Sequence, residues 1–428
     1  MASTATASRG NSTRLLLWIL LVVYIFNFID RQIVNILAEP IRNELGLSDT
    51  QIGLMTGLAF ALFYTVLGIP IARYADRPTT SRPRIIAVAL ATWSVMTALC
   101  GFAQNFWQLL LARIGVGVGE AGCTPAAHSL ISDSVPKEKR SSALAFYALG
   151  IPIGTLLGMM IGGVLNDLLG WRLAFFAVGL PGVALAGFVL VFLRDPRRHG
   201  GVIQPTMSAT PPLVGKEILK AIFSSRALVL LLIAGSCASF LAYGKTTWAT
   251  IFFQRTHGLT PGEVGFYFGV VNGAAGILGT WLGGWLADRF GGTNRRHVLT
   301  APAVGMMIAA PAAFWAYSVA DWRAALFLLF VPTLLNSLYY GPTYSSVQGL
   351  VPREARAMAS AVMLFCQNLI GLGLGPLLFG MMSDAIRPEF GENSVQVVLY
   401  VAAFLGLLPA FFFWRCSLRL NAELDQKD

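Results

Sequence analysis

Apolar runs of roughly twenty residues, the length that crosses a bilayer as a helix, recur along the chain. They lie near 15–37, 50–74, 84–104, 107–132, 139–165 and 172–193. After a polar, proline-bearing stretch, six more follow near 227–253, 262–287, 298–318, 323–349, 355–383 and 395–414. The pattern predicts an all-α membrane protein of twelve spanning helices. It divides into a tail at 1–14, a six-helix bundle at 15–193, a linker at 194–226, a second bundle at 227–416 and a tail at 417–428. The first tail is rich in Ser, Thr and Ala and is expected to be disordered. The first run lacks a small-x-small cleavage site and continues through Asn27, Asp30 and Arg31, so it reads as a retained helix and not a signal peptide.

The runs are related in pairs. GLSDTQIG at 46–53 is repeated as GLTPGEVG at 258–265, an offset of 212. Ala75-Asp76-Arg77 returns at that offset as Ala287-Asp288-Arg289. Pro136, Arg140 and Ala143 match Pro352, Arg356 and Ala359 at 216, and Asn166-Asp167 is echoed by Ser383-Asp384 at 217. Hydrophobic helices align by chance, but their loops do not, so the order of matches argues for two homologous halves. Such repeats characterise transporters that bind at their midplane.

Composition changes the picture in two ways. Only 12% of residues are charged and 55% are hydrophobic, which leaves too little polar surface for a soluble fold. The net charge of +10 sits in short links between runs, without a nucleic-acid motif or a basic stripe. With both termini cytoplasmic, alternate links and tails hold 23 of the 31 Lys and Arg on that side and five on the other, with three inside helices. That asymmetry is the positive-inside pattern. The five cysteines lack metal or redox spacing.

The link after the second run reads ARYADRPTTSRPR and its partner after the eighth reads GGWLADRFGGTNRR. Both resemble the loop signature of the major facilitator superfamily, the second more closely because Gly284 precedes Asp288 by four residues. The resemblance implies a gating role for Asp76, Arg77, Asp288 and Arg289. Asp76 or Asp288 would cap a neighbouring helix and pair with a basic residue in one state only; the plainer alternative is that they anchor loops. YIFNFIDRQIVNIL in the first run, LSDTQIG and LLLARIGVGVGEAGCTPAAHSLISD in the fourth are similar to the spinster branch, which includes sphingosine-1-phosphate and lysophospholipid transporters. Organic-anion symporters share part of these strings.

Intramembrane charges cost about 2.5 kcal/mol or more each, so they need partners or a wet cavity. Arg113 and Glu120 lie on one helix face about 10 Å apart, and Asp30 or Arg31 on the first helix can bridge them. Asp30 and Arg31 point about 100° apart and cannot both face one way. A dry pocket favours a protonated carboxyl, and a neighbouring arginine favours its ionised form. Asp30 and Glu120 are therefore candidate proton carriers, with Arg31 and Arg113 as charge partners or anion ligands; a purely structural salt-bridge network is the alternative. His128 is read mainly as packing. Lys245 either reaches the cavity or snorkels to the interface. Glycines at 150, 154, 158 and 162, and at 265, 269 and 273, predict close helix packing.

The second half offers Asn272, Asn336, Tyr339, Tyr340, Tyr344, Gln367 and Asn368. A charged half facing an aromatic one suits an amphipathic substrate, head group toward Arg113 and tail toward the tyrosines. No hydrolase, nucleotide or metal motif and no channel filter is visible, so neither an enzyme nor a cofactor is expected. The reading is a monomeric secondary transporter of the bacterial inner membrane. It would move protons with a lipid-like or anionic small molecule by alternating access. An organic-anion symporter of the same superfamily and a proton-independent uniporter or exchanger are the alternatives.

Overall fold

The computed structural model describes residues 2–77, 79–136, 139–198, 223–291, 294–352 and 355–425. Most of the expected linker, 199–222, lies outside them. Among the described residues nine helical stretches are each long and apolar enough to cross a membrane. Two of these hold a pair of crossings: Ser142–Phe192, folded at Gly170, and Met358–Leu420. Another crossing, Phe106–Glu120 with Cys123–Ser134, is broken at Ala121-Gly122 into pieces too short to count alone. Twelve spans result, as the periodicity implies. The helix of the first span runs Ala2–Ile36 and that of the last ends at Asp425, so helix extends into both expected tails. Adding turns to an existing helix costs far less than nucleating one.

Gly170 has φ 80° and ψ 161°, a conformation open to glycine, and this is where the fifth span turns into the sixth. The second span (Asp49–Ala75) and the eleventh (Arg356–Phe390) contain π-helical turns at Leu54–Leu58 and Gln367–Leu374. A Cβ on Gly57 would lie 2.7 Å from the Gly373 carbonyl oxygen, so these wider turns pack backbone to backbone.

The glycines of the fifth span behave as expected. A Cβ on Gly154 would come within 2.6 Å of the Ile25 oxygen, and Gly150 and Gly158 likewise abut the first span. The eighth span (Pro261–Gly291) differs. Gly265 meets the Met159 carbonyl, but Gly273 faces open space. Gly279 and Gly283 make the close approach instead, against the Leu334 and Leu338 carbonyls of the tenth span.

The described residues form two compact units. One takes residues up to 47, 59–206 and 260–266; the other takes 48–58, 207–259 and 267–428. The first turns of the second and eighth spans have thus changed places. Each is held by a carboxylate at its amide groups. Asp384 accepts from the Asp49 and Thr50 amides at 3.0 and 2.7 Å, and Asp167 accepts from the Gly262 amide at 3.0 Å. Each start also carries a reciprocal capping box, Ser48 with Gln51 and Thr260 with Glu263. Asp49 itself receives both terminal nitrogens of Arg255 at 3.1 and 3.0 Å and the Ser383 hydroxyl at 2.6 Å.

Arg82, fully buried at the start of the third span (Arg82–Cys100), ties that span to the end of the sixth. Its Nε donates to Asp195 at 3.0 Å and its Nη1 to Asp133 at 2.6 Å. Burial alone would push the Asp195 carboxyl up, but the hydrogen bond and charge of Arg82 outweigh it and hold the group below the usual carboxylate range.

Two outcomes are expected. Gly154→Ala should lower the thermal midpoint, with a cost of about 1–3 kcal/mol from overpacking, whereas Gly273→Ala should leave it unchanged; equal midpoints in detergent would refute the packing argument. Asp195→Asn should cost about 3 kcal/mol, because a buried guanidinium loses one carboxylate. The depressed Asp195 value means that its contribution is complete above the ordinary carboxylate pKa of about 3.9 and is lost as pH falls through the lowered one. Acid titration of the midpoint should therefore show a steeper loss below about pH 4 in the wild type than in Asp195→Asn.

Candidate functional site

The buried charges of the first half gather where the first, second, third and fourth spans meet. Glycines make that meeting close. A Cβ on Gly117 would lie 2.7 Å from the Phe60 oxygen, and one on Gly119 would lie 2.6 Å from the Trp93 nitrogen. The string GVGVGEAG thereby sinks the fourth span against its neighbours and carries Glu120 into the interior, one residue before the helix breaks. Glu120 is wholly buried.

Arg31 donates from Nε to Glu120 Oε2 at 2.7 Å. Its guanidinium also lies 5.0 Å from the Phe28 and Phe60 ring centres and 4.5 Å from that of Tyr64, within range for cation–π attraction. Of the two candidates on the first span, Arg31 is thus the one that meets Glu120. Asp30, 2% exposed, points elsewhere and is within electrostatic range of both Glu120 and Arg113. Arg113 is 1% exposed and its guanidinium lies 5.6 Å from the Phe60 ring centre. In this conformation it offers no surface to a substrate. Asp30 Oδ1, Glu120 Oε1, Trp93 Nε1 and Arg113 Nε and Nη1 are buried without a hydrogen-bond partner among the described residues.

His128 lies outside this cluster. It is exposed, and its ring sits 5.5 Å edge-on from that of Tyr147. The gating candidates are also apart from it. Asp76 is exposed and accepts a 3.3 Å hydrogen bond from the Ser129 hydroxyl; no helix start is capped by it. Arg77 lies 5.7 Å from the Tyr74 ring centre. Asp288 and Arg289 are exposed at the end of the eighth span, without an ion-pair partner among the described residues. The helix-capping carboxylates are Asp167 and Asp384, at the other ends of the spans concerned. The sequence carries their signal in the capping strings Ser48-x-x-Gln51 and Thr260-x-x-Glu263 and in the repeat of the two aspartates.

The second half holds a cavity of about 280 Å³ between the seventh (Arg226–Arg255), eighth, ninth (His297–Ser318) and tenth (Trp322–Gly349) spans. Lys245, Asn336, Tyr339 and Tyr340 all line it. The Tyr339 hydroxyl is bonded to Ser239 at 3.2 Å, and Tyr344, outside the lining, donates to Gln367 at 2.8 Å. Asn272 and the hydroxyl-bearing Thr246, Thr280, Thr333 and Ser337 also line the cavity.

Known proteins agree with this architecture. The family model of the Major Facilitator Superfamily matches residues 20–376. A curated relative from Mycolicibacterium smegmatis, described as an MFS-type efflux pump, is 34% identical, with 96% of this chain and 94% of that protein aligned. Mouse protein spinster homolog 1 is 28% identical over 95% of this chain and 80% of its own length. A crystal structure of a bacterial homolog of the human lysosomal transporter Spinster, inward-facing and unoccupied, has a TM-score of 0.88 at 29% identity, covering 96% of this chain and 98% of that one. The D-xylose–proton symporter shares the fold, with a TM-score of 0.70 at 16% identity over 93% of this chain and 96% of that one. The chain is an integral membrane transporter that belongs to the Major Facilitator Superfamily and resembles its spinster branch.

Proposed function

We infer that the protein couples proton movement to transport of an amphipathic organic substrate by alternating access, with Asp30 and Glu120 as the proton carriers. The observation that carries this is the state of the buried network around Arg31 and Glu120. A network that merely locked helices together would satisfy its polar atoms, since each unpaired buried group costs about 1–3 kcal/mol. Here one oxygen on each carboxylate and two nitrogens on Arg113 have no protein partner among the described residues. Two carboxylates and two guanidiniums within mutual range, incompletely bonded, form a set whose stability changes when a single proton arrives.

The chemistry follows from the contacts. A proton on Glu120 removes the charge that holds Arg31, leaving the guanidinium on the faces of Phe28, Phe60 and Tyr64. Asp30 sits close enough to feel that change. The first and fourth spans are then joined by a weaker bond, which suits a step between two conformations. Gating by Asp76, Arg77, Asp288 and Arg289 is part of the same reading. Their exposed positions support it: Asp76 meets the Ser129 hydroxyl and Arg77 the Tyr74 ring, and none of the four is in an ion pair among the described residues, so an opposite charge can be met in another state. The efflux description of the mycobacterial relative favours outward transport across a bacterial inner membrane, from a monomer with both termini cytoplasmic.

Proteoliposomes containing the purified protein test the coupling, with an internal pH dye and lysolipids or small organic anions added separately. Substrate-dependent proton flux should fall at least about tenfold in Asp30→Asn and in Glu120→Gln, within the range expected for a positioned proton-transfer group. Substrate flux without proton movement in the wild type would sink the coupling and leave a uniporter or exchanger. Full proton flux in both variants would return the carboxylates to a structural role.

A further inference from the structure

The cavity of the second half contains a cation with nothing to neutralise it. Lys245, on the seventh span, is partly buried, and no acidic residue lines the cavity with it. It has no ion-pair or hydrogen-bond partner among the described residues. This contrasts with three other basic groups inside the protein. Arg31 is paired with Glu120, Arg82 is held by two aspartates, and Arg255 is held by Asp49.

Asn272 on the eighth span and Asn336 on the tenth line the same cavity, and neither amide has a protein hydrogen-bond partner among the described residues. An ammonium and two primary amides lining one cavity, with no carboxylate, are a donor set for an oxyanion. The remaining wall combines apolar residues such as Phe268, Ala313 and Leu329 with hydroxyl-bearing ones such as Thr246, Thr280 and Thr333. At about 280 Å³ the cavity lies at the small end of ligand sites. It suits a head group with a short apolar stem, and a long chain would have to extend beyond it.

The geometry points to Lys245, with Asn272 and Asn336, as the docking site for the acidic group of the substrate, a phosphate or carboxylate on an organic molecule. This rests on the transport reading above but reverses the expected orientation of the substrate. Arg113 is too deeply enclosed to receive the head group, and the unpaired charge that faces a cavity is in the other half. The acid therefore binds away from the proton carriers, so substrate capture and proton binding use different charges.

Calorimetric titration of the full-length protein in dodecyl maltoside tests this without any proton movement, so its failure is separable from failure of coupling. The probes are dodecyl phosphate, the zwitterion dodecylphosphocholine and succinate. Dodecyl phosphate should bind about tenfold or more weakly to Lys245→Met and near normally to Lys245→Arg, with dodecylphosphocholine indifferent to both. Succinate binding that depends on Lys245, with no dodecyl phosphate binding, would keep the oxyanion site and overturn the amphipathic substrate. Unchanged dodecyl phosphate affinity in Lys245→Met, an equal loss for both dodecyl probes, or no binding of either anion to the wild type would overturn the site. Matching gel-filtration profiles and thermal midpoints identify the variants that are folded.

Discussion

An ion pair inside hydrocarbon, Arg31 with Glu120 at 2.7 Å, sets the terms for the first half of this protein. Neither charge tolerates the membrane alone, so the first and fourth spans must approach closely enough for a direct bond. The approach depends on residues with no charge at all. Gly117 and Gly119 let the fourth span settle against Phe60 and Trp93, and glycines of the fifth span let the first settle into place. The aromatic rings of Phe28, Phe60 and Tyr64 then supply the remaining company for the guanidinium. The glycine-rich string and the acidic residue inside it are one device: the small residues create the depth, and the acid is placed at it.

The two halves solve the cost of buried polarity in different ways. In the first, charges face one another and leave some donors and acceptors unmatched. In the second, several polar side chains are matched in neutral pairs: Ser239 with Tyr339, Tyr344 with Gln367, and the Trp248 indole with the Pro376 carbonyl at 2.9 Å. Others there, such as the Thr343 and Ser346 hydroxyls, are buried without a partner among the described residues, and Lys245, Asn272 and Asn336 face the cavity. The first half thus places its incomplete polarity around a charge network, and the second has a polar-lined void in addition.

Much of this was legible from periodicity alone. Apolar length gave the number of crossings, because hydrocarbon thickness admits little variation. Seven-residue spacing placed Arg113 and Glu120 on one face, but whether Asp30 or Arg31 meets the glutamate depends on the rotation of a neighbouring helix, which spacing does not encode. The eighth span shows the same limit: Gly265, Gly269 and Gly273 recur regularly, yet Gly279 and Gly283 make the contact, since only the partner's position decides which glycine is needed. The Asp-Arg loops drew attention through their signature, while Asp167 and Asp384, equally repeated, cap the helix starts. Their role was written locally in the capping boxes beside Ser48 and Thr260, but the distant acid that completes each cap is fixed by tertiary structure.

The exchanged helix starts have a consequence for how the chain is made. Asp384 is 335 residues beyond the amide of Asp49 that it caps, and Arg255, which neutralises the Asp49 carboxylate, is 206 residues beyond it. At about 5–20 residues per second the second span is synthesised tens of seconds before its cap. For that interval a carboxylate and exposed amides wait at the membrane surface, where water or lipid head groups must serve them. A ribosome that stalls after the sixth span leaves a bundle whose second helix cannot be finished. The first unit is complete only once residues 260–266 have been made and the second only once Asp384 has, so neither bundle is finished by its own six spans alone.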